Sequence, residues 1–366
     1  MGRNTRLESL DILRGVNMFL LVGAKSLVLA LLAYFGFSRE SWLAQQFTHV
    51  AWNGFGLWDF VYPLFVFIAG VTWPFSCASQ VRRGFSNARI GWNILRRTLL
   101  LVALGLFCSR FMTDGIIHWA TVLGRIGVCW GVAAAIFAFT SWKVRVGAFG
   151  FILLSYWLAV VLIVAPGSPS GADPLARDTC IVTWLSERFY PLPNQYVPSV
   201  YPMIATALAG MFAGAWLRDR RKEMSEARRT LVLVGAGVIA LVLGLLWAFG
   251  LGHWSFPLNK NLWSSSLVLV AGGISAMMLA AFHWSVDVRG FSRWGFFFKV
   301  IGMNAIFIYV LHESVLPIGK LGAYVFGGIA ALCSPELGRV VLAAGSIACY
   351  WLILLFLYRK GMFFKT

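Results

Sequence analysis

Charge is scarce in this chain, and negative charge scarcer still. Only 12% of its 366 residues are Asp, Glu, Lys or Arg, and 31 basic side chains face 14 acidic ones; an average soluble domain carries about 25% charged residues. A water-facing shell of salt-linked side chains is thereby excluded. Cysteine is limited to six positions: Cys77, Cys108, Cys129, Cys180, Cys333 and Cys349 are scattered, mostly inside apolar runs. They show neither metal-ligand spacing nor a disulfide pattern, and read as buried small hydrophobes. Nothing points to a metal. There is no soluble-type repeat, heptad or low-complexity tract, and no two-half symmetry of the kind many transporters carry.

What the chain does have is hydrophobic length, with 59% of residues apolar or aromatic. Runs long enough for a hydrocarbon core of about 30 Å recur near residues 12–36, 57–79, 94–111, 116–140, 146–165, 199–217, 231–251, 262–284, 299–316 and 338–357. The expectation is an all-α polytopic membrane protein of about ten transmembrane helices, a single transmembrane domain over residues 1–366. The first run carries Arg14, Asn17 and Lys25 and lacks a small-residue cleavage site, so it reads as a retained helix rather than a signal peptide.

A formal charge of +17 suggests nucleic acid when taken alone. Its carriers, however, fall in every second connection: Arg3 and Arg6, then Arg82, Arg83, Arg89, Arg96 and Arg97, then Lys143 and Arg145, then Arg218 to Lys222 with Arg228 and Arg229, then Arg289, Arg293 and Lys299, then Arg359, Lys360 and Lys365. That is the positive-inside pattern, which places both termini in the cytosol and makes the number of spans even. Residues 319–333 are apolar but too short to span and read as an interfacial or re-entrant segment before the last helix. The polar stretch 166–198 reads as an external loop.

Polar groups within or beside spans are expensive and therefore candidates for function. Asp11 and Arg14 open the first span and can pair across one helical turn. Outside, His49, Trp52 and Asn53 precede a second span that begins with Asp59; a histidine with a nearby carboxylate suits a base for an amine nucleophile. Asn259, Lys260, Asn261 and Trp263 cluster before the eighth span on the same face, where amides suit sugar hydroxyls or a thioester carbonyl. His312 and Glu313 add a second imidazole and carboxylate near the outer end of the ninth span, which opens with Gly302-Met303-Asn304. On the inner face, arginines such as Arg82 and Arg83 offer guanidinium forks that match phosphate oxygens. Arg125 lies inside a span and needs an anion.

Together these stretches resemble the heparan-alpha-glucosaminide N-acetyltransferase family within the transmembrane acyltransferases. The likeness covers Ser9-Leu10-Asp11 with Arg14-Gly15, His49 to Gly54 through Asp59, Pro63 and Gly70, Gly124-Arg125-Ile126-Gly127, and Pro257-Leu258-Asn259-Lys260-Asn261-Leu262-Trp263-Ser264. It continues through Val286-Asp287-Val288-Arg289-Gly290, Gly302-Met303-Asn304, Tyr309 to Glu313 and Leu357 to Lys360, in family order. The resemblance implies acetyl-CoA as cosubstrate from the cytosol, a glucosamine-type amine acceptor on the periplasmic or luminal side, His49 as the catalytic histidine, a homodimer, and for a minimal bacterial-type form residence in the cytoplasmic (inner) membrane. Catalytic roles are then expected among His49, Asp59, Asn259, Asn261, His312 and Glu313. Contacts to the cofactor are expected from Asp11, Arg14, Arg125, Asn304, Arg82 and Arg83, and contacts to the acceptor from Lys25, Trp52, Asn53, Lys260 and Trp263. Lys25 stands where the animal enzyme has asparagine and bacterial relatives often have an acidic residue, and Asn17 replaces a frequent aspartate, so acceptor choice can differ. An amino-sugar transporter and an O-acyltransferase acting on a cell-envelope glycan are the rival readings.

Overall fold

A segment surrounded by lipid must pair its own backbone groups, so long apolar runs become helices. The computed structural model describes residues 7–112, 116–190, 196–219, 224–315 and 318–364. Of the residues singled out above, Arg3, Arg6, Arg220, Arg221, Lys222 and Lys365 lie outside this set, as do residues 191–195 of the polar connection. Among the described residues there is no strand beyond an isolated bridge between Val164 and Cys180.

Among the described residues, eight helices are long and apolar enough to cross a membrane: α1 (Glu8–Tyr34), α2 (Leu57–Arg82), α4 (Val122–Phe139), α5 (Trp142–Leu162), α6 (Val197–Arg218), α7 (Glu226–Phe249), α8 (Ser265–Val288) and α12 (Pro335–Arg359). A ninth is formed if α9 (Arg293–Met303) and α10 (Ala305–Ser314), which meet at 63°, count as one broken span. Between α2 and α4 runs α3 (Asn87–Met112), long enough but studded with Arg89, Arg96, Arg97 and Arg110. Each expected run thus falls on a helix or on the bent pair.

Boundaries moved for local reasons. Arg89, Arg96 and Arg97, expected in a loop, lie on α3, because nothing between Asn87 and Arg97 breaks a helix and the turn is made earlier at Gly84, where φ is +72°. The fourth helix starts at Val122 rather than near 116, since Thr121 caps it by accepting from Gly124 N. The apolar segment 319–333 is helix α11 (Ile318–Ala331), 14 residues, about 21 Å at the standard rise and too short for the hydrocarbon core. It packs back on α12, with Gly322 against Ser346 and Phe326 against Gly345. The polar connection contains a nine-residue helix, Ile181–Phe189.

Tight helix contacts set the frame. On α6, Gly210 and Gly214 lie against the α2 backbone at Phe67 and Val71, while Gly70 of α2 lies against Ala207, so a Cβ at any of the three would collide with main chain. Small residues one turn apart are what close helix approach in a membrane requires. One face of α7 exposes Leu231, Val238, Ile239, Val242 and Leu246, a continuous apolar stripe that suits lipid. The helix termini gather at two ends. The basal end gathers Glu8 with Lys299 and Arg218 with Pro74; the apical end gathers the loops before α2 and α8.

Candidate active site

At the apical end, the chain before α2 folds back over the helix start, where Trp58 N donates to Gln46 O at 2.9 Å. Asp59, in the first turn of α2 and 1% exposed, accepts from Val50 N at 3.2 Å and Gly56 N at 3.4 Å through Oδ2. A carboxylate there caps orphan amides and faces the positive end of the helix dipole. Its Oδ1 lies 2.7 Å from His49 Nδ1. The carboxylate is thus fixed by backbone before it meets the imidazole, which is about half exposed and keeps Nε2 without a protein partner among the described residues.

The loop before α8 is brought to the same place. Gly54 N donates to Leu258 O at 2.8 Å, Asn259 donates to Asn53 Oδ1 at 3.1 Å, and Asn261 donates to Ala51 O at 3.3 Å. Asn259 is fully buried and its side-chain carbonyl accepts from Leu262 N at 2.9 Å, so it holds the loop, whereas Asn261 is half-buried. Lys260 projects its ammonium 3.3 Å from Asp59 Oδ1 and 3.0 Å from His49 Nδ1. Burial pushes the Lys260 ammonium below the usual lysine range; Asp59 opposes this, and the nearby Lys25 and Arg125 reinforce it. Trp263 adopts φ +56° and turns inward, edge-on to Tyr62 at 4.9 Å, with its indole N–H donating to Thr206 at 2.9 Å. Trp52 donates to Leu175 O at 2.8 Å, tying the polar connection over the site.

Two further cations ring this group. Lys25 lies 4.9 Å from the Trp58 ring centroid, and Asp59 pairs with Lys260 rather than with Lys25. Arg125 sits one turn into α4, donating to Ala120 O at 2.9 Å, on the apical side rather than the basal one. Beside it His118 is buried, and burial followed by Arg125 lowers its pKa. Asn17, the other departure, is fully buried on α1, its amide without a partner among the described residues.

The basal half holds a cavity of about 480 Å³ bounded by α1, α2, the α9–α10 break and Phe364, with Asp11, Arg14, Thr72, Ser76 and Arg97 among its polar walls. Arg14 pairs with Asp11 at 3.2 Å. The Arg97 guanidinium rests 4.1 Å from the Trp130 ring centroid, and its Nε is buried without an acceptor among the described residues. Along α2 the cavity wall runs from Ser76 to Phe65, about 16 Å of helix, which leaves about 9 Å between Phe65 and Asp59. Asn304 stands at the break, donating to Met362 O at 3.1 Å and accepting from Phe364 N at 3.0 Å.

Arg82 and Arg83 lie at the basal end of α2, exposed and not part of the cavity wall. His312 and Glu313 sit together near the end of α10, 3.9 Å apart, with the imidazole edge-on to Tyr350; among the described residues no hydrogen bond or ion pair joins them to His49 or Asp59. Trp58, which no motif singles out, has Lys25 near its ring and the His49 ring 6.4 Å away; its adjacency to Asp59 is the signal in the sequence. Arg97, placed by its charge among the basic connections, faces the cavity.

A family profile described as "Heparan-alpha-glucosaminide N-acetyltransferase, catalytic" matches residues 6–245, which include the His49–Asp59 pair and the α1 to α3 walls of the cavity. The chain belongs to the heparan-alpha-glucosaminide N-acetyltransferase family. It is similar to the heparan-alpha-glucosaminide N-acetyltransferases of Mus musculus and Homo sapiens, with 26% identity over 369 and 371 aligned residues. These alignments cover 84% of this chain but 54% and 53% of the relatives, so the chain spans about half the length of the curated family members it matches. The family profile ends before the loop that carries Asn259 to Trp263.

Proposed function

We propose that this member of the family transfers an acetyl group from acetyl-CoA, held in the basal cavity facing the cytosol, to the amine of a glucosamine-type sugar at the apical, periplasmic or luminal, end. The observation that carries this reading is the alignment of two features along α2: a cavity walled by Arg97, whose Nε is buried without an acceptor among the described residues, at one end and a His–Asp pair at the other. Arg14 and Arg97 suit the phosphates of the nucleotide, and the apolar walls from Phe75 to Phe65 suit an extended thiol arm. Arg125, being apical, suits the thioester end rather than the phosphates.

In this scheme Nε2 of His49 takes a proton from the acceptor amine as nitrogen bonds to the acetyl carbon. The C–S bond breaks and CoA leaves as thiolate. Asp59 holds Nδ1–H and stabilises the imidazolium, while Asn261, on the loop that Asn259 braces, donates to the developing oxyanion. Trp58 and Trp52 offer flat faces for a pyranose. An acetyl-histidine intermediate is the variant route. His312 and Glu313, in their own cluster, are assigned to a supporting role near Tyr350. Ten crossings with both ends cytosolic, residence in the bacterial inner membrane and a homodimer complete the proposal; the gathering of α1's start and α12's end at one face supports the even count.

The test is labelled acetyl-CoA with glucosamine. His49→Gln is expected to lower kcat by about 10²–10⁴-fold while CoA still raises the melting temperature. Full transfer in a folded His49→Gln protein refutes the scheme. Movement of amino sugar without acetyl-CoA would favour a transporter, and label on hydroxyl acceptors alone an O-acyltransferase.

A further inference from the structure

Lys260 stands where two proton arrangements of His49 compete. Its nitrogen is 3.0 Å from His49 Nδ1 and 3.3 Å from Asp59 Oδ1, and that same carboxylate oxygen is 2.7 Å from Nδ1. An ammonium has donors only. When a charged Lys260 donates to Nδ1, the ring proton must sit on Nε2, and the nitrogen facing the acceptor is no longer a base. When Nδ1–H donates to Asp59, Nε2 carries the lone pair, and a charged lysine at 3.0 Å sets donor against donor.

We propose that Lys260 is a positioning residue that acts through His49, its own protonation selecting the tautomer in which Nε2 can accept a proton; this rests on the reading of His49 as the general base. A neutral Lys260 amine can itself accept from Nδ1–H, so loss of its proton stabilises the productive form. The groups that face it are Asp59 from α2, His49 from the preceding loop, Lys25 from α1 and Arg125 from α4. Burial and the two cations oppose the ammonium, and only Asp59 favours it. Its proton is therefore released at a lower pH than that of a free lysine, and turnover rises through that ionisation.

The experiment compares Lys260→Met and Lys260→Arg in the full chain, measuring kcat and acceptor KM from mildly acidic to alkaline pH. Methionine cannot donate and leaves the His49–Asp59 bond unopposed. Arginine stays charged at every pH and keeps the competing donor. Methionine is expected to retain at least ~10-fold more kcat than arginine, the scale of a misplaced general base, and to lose the alkaline ionisation. More kcat in arginine than in methionine, or an alkaline ionisation that survives in methionine, overturns the proposal and leaves Lys260 as a tether for its loop. Should either variant fail to fold, ring-nitrogen NMR of histidine-labelled parent protein decides, with the His49 signal assigned by its loss in His49→Gln. Conversion from Nε2–H to Nδ1–H as pH rises supports the proposal; Nδ1–H at every pH refutes it. Absence of acetyl transfer in the parent would sink the general-base reading alone, and the NMR result would still judge the role of Lys260.

Discussion

Replacing Asp59 with asparagine separates its two tasks. The amide oxygen can still accept from Val50 and Gly56, yet the charge that holds Nδ1–H is gone, so kcat is expected to fall by about 10²–10⁴-fold with little loss of melting temperature. A comparable fall in both would assign Asp59 to folding instead. Lys25→Met is the second test at this scale: if Lys25 meets an anionic group of the acceptor, the acceptor KM rises about tenfold with kcat held, as expected for loss of ground-state binding. His49 and Asp59 were legible because loop and helix start are close in sequence. The inward turn of Trp263 was not legible, since it depends on a positive φ that no spacing rule announces. Asn259, expected to meet the sugar or the thioester, also braces its loop by bonding Asn53 and Leu262, a demand of buried loop backbone that is invisible until the loops meet.

Helices were legible from hydropathy, their ends less so. The start of α8 shifted to Ser265 because Ser264 caps it and Asn259 N donates to Ser264 at 3.2 Å, a turn closed by side chains rather than by glycine or proline. The break between α9 and α10 has no proline to mark it; Asn304 donates to Met362 O and accepts from Phe364 N instead. Two packing features make predictions. Gly210→Leu forces α6 away from α2 and is expected to cost about 1–3 kcal/mol or more, read as a lower melting temperature in detergent, with His49 and Asp59 untouched in sequence. Asp287 accepts from Glu8 N at 3.1 Å and from the Ser9 hydroxyl, and meets His283 at 3.1 Å. It thus caps α1 from the end of α8, which explains why Ser9 and Asp287 are both part of the family-like pattern. Asp287→Ala is expected to cost about 1–3 kcal/mol; an unchanged melting temperature would show that the cap is dispensable.

Over the whole molecule, the arrangement of cavity and imidazole predicts sidedness. In proteoliposomes of one orientation, acetyl-CoA supplied at the basal face should label sugar present only at the apical face; label appearing only when both share a side would contradict the proposed path. Arg97→Met should abolish most of the thermal stabilisation by CoA while leaving His49 in place, because its guanidinium lines that wall with a buried Nε that has no acceptor among the described residues. The succession of apolar helices was readable from hydropathy. The depth of the cavity was not, since it depends on how α1, α2 and the α9–α10 break lean apart.

The strand of chain after α12 doubles back so that Phe364 stacks on Phe307 at 4.8 Å and closes one flank of the donor chamber. If the cavity holds CoA as proposed, a bulky fusion joined just past this point would crowd the nucleotide's way in and out. Shortening the polypeptide at Gly361 would instead take away part of the chamber's masonry, weakening the grip on CoA without touching the imidazole far above it.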